Sequence, residues 1–203
     1  MIKKFLKVFD KDNLPSIRRA IYMLALALVC QLFKQRKKHK DIWLISERWR
    51  EARDNGYWLF KHIMENDLHG YTWYVMDPDG FDYNKVEKYS HRVIRRYSLK
   101  HYIYYSLCSR AIGTQLSFGA PSQVGGRYLK KIMPVKKTFV YLGHGIQKDD
   151  VELLYKKNSK IDLFFVNGRN EYTDLVTNAG YDAADVVVTG TPRNDGLGIG
   201  QPK

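Results

Sequence analysis

An α/β fold with a mainly parallel sheet covered on both faces is what this sequence predicts, and three observations lead there. Short β-branched and aromatic runs recur at residues 42–45, 71–76, 93–94, 111–114, 138–142, 161–166 and 186–189, with the composition of buried strands. Segments of helical character separate most of them, the alternation that builds parallel crossovers. Several runs end in polar clusters: Ser46-Glu47-Arg48, Gly143-His144-Gly145, Asn167-Gly168-Arg169 and Gly190-Thr191-Pro192-Arg193-Asn194-Asp195. In a parallel sheet those ends share one edge, so residues remote in the chain converge on one cleft.

The chain opens on a basic arm, residues 1–40. Lys3, Lys4, Lys7, Arg18, Arg19, Lys34, Arg36, Lys37, Lys38 and Lys40 face only Asp10 and Asp12. Within the arm, residues 20–33 (AIYMLALALVCQLF) form the most apolar run of the chain. It is shorter than the roughly 20 residues that cross a bilayer. Two readings stand: an apolar helix in the membrane interface with its basic flanks on anionic headgroups, or a helix packed on the protein's own core. Basic residues on both sides favour the first.

Residues 42–45 then form a first strand, and Ser46 is placed to cap a mostly helical stretch over 47–64, with Asn55-Gly56 as a turn near its middle. The strand at 71–76 closes in the turn Asp77-Pro78-Asp79-Gly80. A short helix at 86–89, a short strand at 93–94, an aromatic helix at 98–108 and a strand end at 111–114 follow. Residues 119–126 are a loop rich in glycine, proline and serine, and 169–179 read as a helix. Asp149 and Asp150 are read as a helix start, where carboxylates suit the dipole, in preference to metal ligands. The body therefore spans 41–195 as one Rossmann-like domain, and residues 196–203 form a tail without strand or helix pattern.

The formal net charge of +13 over 203 residues calls for an anionic partner or surface. A second basic cluster runs over 127–137. Nucleic acid ranks last among such partners: no recognised module is present, and the basic residues crowd beside an apolar run instead of interleaving with aromatics. Cys30 and Cys108 are too few for a disulfide framework or a zinc site and suit a reducing, cytoplasmic setting. Neither a dinucleotide fingerprint nor a P-loop occurs. His62, His69, His91 and His101 read as plain surface or core histidines.

His144 is different, because a buried strand ends immediately before it between two glycines. Gly143 and Gly145 let the backbone turn sharply and leave room for a ligand. Histidine is the side chain best suited to take a proton near neutral pH. A structural histidine capping the next helix is the alternative.

Four segments in this order resemble the CDP-glycerol glycerophosphotransferase family, the teichoic-acid primases and polymerases of Gram-positive bacteria and related capsule enzymes. They are Asp41-Ile42-Trp43-Leu44-Ile45-Ser46-Glu47-Arg48, then Ala52-Arg53-Asp54-Asn55-Gly56, then His144-Gly145 with Lys148, and finally Gly190 to Asp195. The resemblance implies a GT-B fold, two Rossmann-like domains across a cleft, held peripherally at the cytoplasmic face of the membrane. It implies transfer of glycerol phosphate from CDP-glycerol to a lipid-linked glycerol-phosphate or polysaccharide acceptor, with release of CMP. The family's histidine-glycine motif supplies the base and matches His144-Gly145. Gly143, Gly145, Lys148, Arg193 and Asp195 are then the candidates on the phosphate, and Glu47, Arg48, Asp54 and Asn55 on the acceptor side. A salt-bridged turn is the plain alternative for Arg193 and Asp195, as ordinary capping is for the other four.

Two departures qualify the match. Ile146-Gln147 stands where the family usually has Thr-Pro, which leaves substrate choice open. The family's second, nucleotide-binding domain has no counterpart before Lys203, so the expectation is a truncated, acceptor-side half, with self-association through surface the second domain would cover. A GT-B sugar transferase of surface polysaccharide synthesis and a non-catalytic membrane- or acceptor-binding remnant are the competing functions. No resident cofactor is expected, and a divalent ion is left open.

Overall fold

The computed structural model describes residues 14–32, 41–122, 133, 135–145 and 150–195. The basic run 34–40, most of the 127–137 cluster, Lys148, Asp149 and the tail lie outside the described residues. An N-terminal helix, α1 (Leu14–Leu32), precedes the first strand, β1 (Trp43–Ser46). Then come α2 (Asn55–Glu65), β2 (Thr72–Met76), the single turn α3 (Tyr83–Val86), β3 (Val93–Arg95), α4 (Leu99–Leu107) and β4 (Arg110–Gly113). The last part holds β5 (Thr138–Tyr141), β6 (Leu163–Val166), α5 (Arg169–Thr177), β7 (Val186–Val188) and the single turn α6 (Pro192–Asp195).

The strands form one seven-stranded sheet in the order β3-β2-β1-β4-β5-β6-β7, every pair parallel. This is the Rossmann-like α/β arrangement the strand pattern predicts. The chain winds outward from β1 to β3, returns to lay β4 against β1, and then winds outward to β7. The reversal between β1 and β4 is a topological switch point, and all carboxyl ends emerge on one edge.

Alternation along each strand divides the core in two. Leu44, Val75, Ala111, Phe139, Tyr141, Phe164 and Val166 point to the face covered by α1, α4 and α5. Ile45, Tyr74, Met76, Ile112, Val140 and Leu142 point to the face under α2, where Phe60 lies on Tyr74 with ring centroids 5.1 Å apart. Cys30 and Cys108 are both free thiols in the first of these layers.

Two sequence expectations change. The stretch 47–54 is loop, and α2 begins only at Asn55 with Asp54 as its N-cap. Ser46 caps nothing: its Oγ is buried and finds no hydrogen-bond partner among the described residues. The physical reason is Glu47, whose carboxylate gathers the backbone N–H groups of the loop and leaves Ser46 enclosed at the strand end. The apolar run, for its part, combines features of both readings. Met23, Ala27 and Cys30, at helical spacing, are buried in the core, whereas Ile21, Leu28 and Leu32 on the other side are exposed. Among the described residues no helix is long and apolar enough to cross a membrane.

Lys137, just before β5, is buried without a carboxylate. Its Nζ donates to the Ser106 and Cys108 carbonyls at the end of α4, both at 3.1 Å. It thereby satisfies acceptors that a helix C-terminus leaves open and complements the dipole there. Burial pulls the ammonium pKa down, partly offset by the Cys108 thiol. Lys137→Met should therefore cost about 2–4 kcal/mol, read as a lower urea midpoint at unchanged m-value. An unchanged midpoint would mean that the ammonium contributes nothing to holding α4 on β5.

Candidate active site at the switch-point edge

Five segments leaving the carboxyl edge meet beside β1 and β4. The loop after β1 supplies Glu47, Asp54 and Asn55; the loop after β4 supplies Thr114 and Gln115; the turn after β5 carries His144. The segment after β6 brings Asn167, and α6 brings Arg193.

Glu47 shapes the first of these. Almost wholly buried, its Oε1 accepts from the N–H of Arg53 (2.8 Å) and of Asp54 (3.2 Å), and its Oε2 from Tyr57 (2.8 Å). One carboxylate thus satisfies donors that the start of α2 would otherwise leave orphaned. Burial pushes its pKa up to about 7, against the pull of the three backbone donors and with a push from the Asp54 charge.

Asn55 ties the loops to each other. Its Nδ2 donates to the Leu142 and Gly143 carbonyls, at 3.1 and 3.0 Å, and its Oδ1 accepts from the Arg193 N–H at 3.1 Å. One amide therefore spans the exits of β1, β5 and β7.

His144 stands in the turn that follows β5, where Gly143 (φ +64°) and Gly145 (φ +152°) hold conformations that side chains resist. A Cβ on Gly145 would come within 2.9 Å of Arg193 Nη2. Asp54 fixes the ring, with Oδ2 2.6 Å from His144 Nδ1. Burial pushes the Asp54 pKa up, but the His144 hydrogen bond, the Asn55 backbone N–H and the Arg193 charge outweigh it and hold the pKa low. An ionised carboxylate only accepts, so the proton is on Nδ1 and the lone pair is on Nε2. That Nε2 accepts from the Gln115 amide at 2.8 Å. Arg193 Nη1 lies 3.5 Å from Asp54 Oδ1. The imidazole is half-exposed and borders an open cavity of about 470 Å³ beneath the exits of β4, β5 and β6.

The candidates named from sequence separate accordingly. His144, Gly143, Gly145, Arg193, Asp54 and Asn55 come together. Glu47 lies under the loop, its carboxylate turned to the backbone N–H groups of Arg53, Asp54 and Tyr57. Arg48 is well exposed and lies 3.7 Å from Glu51. Arg193 is paired with Asp54, not with Asp195 as a salt-bridged turn would have it. Asp195 is exposed at the end of α6, and Lys148 is outside the described residues. Gln115 was missed, and no local pattern marks it; only the adjacency of β4 and β5 brings it to the histidine.

Glu47 gives a pH test. Its folded pKa lies above the unfolded one of about 4.3, so its stabilising contribution is complete below that value and is lost as pH rises through about 7. Between pH 4.5 and 8, urea unfolding should show the wild type losing about 2–3 kcal/mol relative to Glu47→Gln. Parallel curves for the two proteins would assign the carboxylate an ordinary pKa. Gly145→Ala should push Arg193 off Asp54 and lower the thermal midpoint by several degrees; an unchanged midpoint would mean the turn relaxes freely.

No family model matches the chain. Over 192 residues it is 28% identical to the minor teichoic acid biosynthesis protein GgaB of Bacillus subtilis (strain 168), covering 93% of this chain and 21% of that protein. Solved structures of the wall teichoic acid polymerase TagF superpose on it. A histidine-to-asparagine variant soaked with CDPG gives a TM-score of 0.53 at 13% identity, and the same variant without the soak gives 0.51 at 11%. Each alignment covers 90% of this chain and 48% of the polymerase. The chain thus spans about a fifth of the one relative and about half of the other, and at such identities the second likeness speaks for fold alone. The sequence comparison bears out the resemblance to teichoic-acid enzymes, and the structural one bears out the fold: the chain is homologous to a teichoic acid biosynthesis protein, on a fold that a wall teichoic acid polymerase shares.

Proposed function

We propose that the chain carries the acceptor-activating site of a phosphotransferase that moves glycerol phosphate from CDP-glycerol to a hydroxyl of a membrane-anchored acceptor in teichoic-acid or related surface-polymer synthesis. One observation carries the reading. His144 presents a lone pair on Nε2 at the mouth of a cavity, while an ionised Asp54 holds the proton on Nδ1. A general base needs this tautomer and this orientation. Homology to a teichoic acid biosynthesis protein supports the reaction class, and the sequence motifs support the donor.

The chemistry follows from the geometry. An acceptor hydroxyl reaching Nε2 displaces the Gln115 amide. As its oxygen attacks the β-phosphorus, its proton passes to Nε2. The bond from that phosphorus to the bridging oxygen breaks, and CMP leaves with the electron pair. The imidazolium so formed is stabilised by the Asp54 carboxylate against which it already rests. Arg193, beside the same carboxylate, is the cation placed to offset charge on the transferring phosphoryl group, and Lys148 is a further candidate. Asp54 acts through His144 and is a positioning residue. The peripheral membrane site belongs to the same proposal, supported by the basic arm and the exposed apolar side of α1.

The test is CMP release from CDP-glycerol with membranes supplying acceptor. The chain should release CMP, His144→Ala should lower the rate by about 10²–10⁴, and Asp54→Asn should lower kcat by a similar factor with little change in KM. Absence of release from the wild-type chain, or release indifferent to His144, would sink the proposal for this polypeptide.

A further inference from the structure

Between Glu87 and Asp149 the chain carries twelve lysines and arginines and no acidic residue. The cations of this stretch must therefore meet carboxylates that the fold brings from elsewhere, or do without. Three of them meet one: Lys88 pairs with Glu65 at 3.1 Å, Arg96 with Asp77 at 3.4 Å, and Arg110 with Asp41. Arg92, just before β3, and Lys100, in the first turn of α4, pair with no carboxylate among the described residues. Both lie instead against one indole. Lys100 Nζ stands 3.9 Å from the centre of the Trp73 ring, and the Arg92 guanidinium carbon 5.1 Å from the same point. Sheet register and helix packing explain the meeting. Tyr74 is opposite Val93 in the β2–β3 ladder, so Trp73 and Arg92 are neighbours one position earlier. Tyr104 of α4 sits edge-on to Trp73, ring centroids 4.8 Å apart, and Lys100 is one turn before it. The ring face attracts each cation but neutralises neither. Burial lowers the Lys100 pKa, and the Arg92 charge lowers it further. Two like charges are thus held as neighbours, an arrangement that costs free energy until an anion completes it.

We propose that Arg92 and Lys100, set against the Trp73 ring, form an anion site for a phosphate group, carried by a soluble phosphate ester or by a lipid headgroup. A guanidinium offers two parallel donors that match two phosphate oxygens, and an ammonium adds a mobile point charge for a third. Lys100 is exposed and Arg92 half-buried, so an anion enters without any opening of the fold. The site lies at β2 and β3, on the far side of β1 from the strands whose exits carry Gln115 and His144. It therefore does not rest on the reading of His144 as a base. A headgroup is within its reach for a structural reason. α4 packs beside α1, with Tyr22 edge-on to Tyr102 at 4.8 Å and Arg19 over Tyr97, and Leu99, next to Lys100, is exposed. The two cations thus share a layer of the fold with the exposed apolar side of α1.

Calorimetric titration of the full chain with inorganic phosphate, at an ionic strength held constant with chloride, tests the site. Phosphate should bind. Arg92→Gln and Lys100→Gln should each weaken it by about threefold to tenfold, and Arg92→Lys should keep part of the affinity. Lys157→Gln, the same change of charge at an exposed lysine beside Tyr155, should leave binding as it is. Phosphate should also raise the thermal midpoint of the wild type, and not that of the Arg92→Gln, Lys100→Gln double variant. A second arm measures cosedimentation with phosphatidylcholine vesicles, with and without phosphatidylglycerol. Vesicle binding that falls in the same two variants assigns the site to a lipid headgroup. Vesicle behaviour that is unchanged while phosphate binding falls assigns it to a soluble ester. A wild-type chain that binds no phosphate overturns the proposal whatever the vesicles do. Phosphate binding that is indifferent to both substitutions, or that Lys157→Gln weakens as much, overturns it equally. None of these results bears on CMP release through His144, so the two proposals stand or fall separately.

Discussion

The site depends on a buried carboxylate whose oxygens are turned to backbone. Glu47 collects three backbone N–H groups over residues 53–57, and in doing so decides where α2 starts. With the start at Asn55, Asp54 becomes the capping residue, and its second oxygen is free to meet His144 across the gap between the exits of β1 and β5. A start one turn earlier would carry Asp54 into the helix and away from the ring. Burial works against this arrangement, since it favours the neutral carboxyl, and the backbone donors offset that cost only in part. The loop is therefore held by a group whose ionisation is poorly solvated, a form of local strain that recurs at sites where geometry must be fixed.

Asn55 does the complementary work at longer range. Its amide has a donor end on the β5 exit and an acceptor end on α6, so three loops that could drift independently share one hydrogen-bonding centre. Parallel topology alone brings them to the same edge, but to within several ångströms and no better. The distances around the ring, 2.6 Å from Asp54 to His144 and 2.8 Å from Gln115 to the same imidazole, require the additional stitch. Backbone-directed bonds suit this purpose, because a carbonyl at a strand end is fixed by the sheet behind it.

Much of the fold was legible because its causes are local. Short apolar runs, helical spacers and glycine-bounded strand ends follow from neighbouring residues, and the strands at 42–45, 138–142 and 161–166 appear within one or two residues of where composition puts them. The histidine turn was legible for the same reason. The start of α2 was not: apolar periodicity across 47–64 resembles one helix, and the competing interaction, a carboxylate folding back on the N–H of a residue ten positions on, has no periodic signature. Asp54 was named from the motif as an acceptor-side residue, but its pairing with His144 was not legible, because that partner lies 90 residues away. Gln115, 29 residues from His144, carries no motif. Residues joined by sheet order become visible only once the order is known.

The N-terminal helix shows why composition alone could not choose between two readings of an apolar run. A helix covering one face of a sheet needs a single apolar stripe, and Met23, Ala27 and Cys30 provide it. The outward side of such a helix is ordinarily polar, yet here Ile21, Tyr22, Leu28, Val29 and Leu32 all remain exposed. Packing on the core therefore accounts for only some of the helix's apolar residues. The remainder is a contiguous surface of the kind that marks contact with another apolar phase, with Arg18 and Arg19 near its start. Arg19 is itself drawn inward over the Tyr97 ring, at 4.0 Å, so the helix is fastened to the domain at its basic end as well as along its buried stripe. An arm fastened in that way cannot act as a loose tether. Whatever surface its outer stripe meets, the sheet and the His144 edge are brought to it in a fixed orientation.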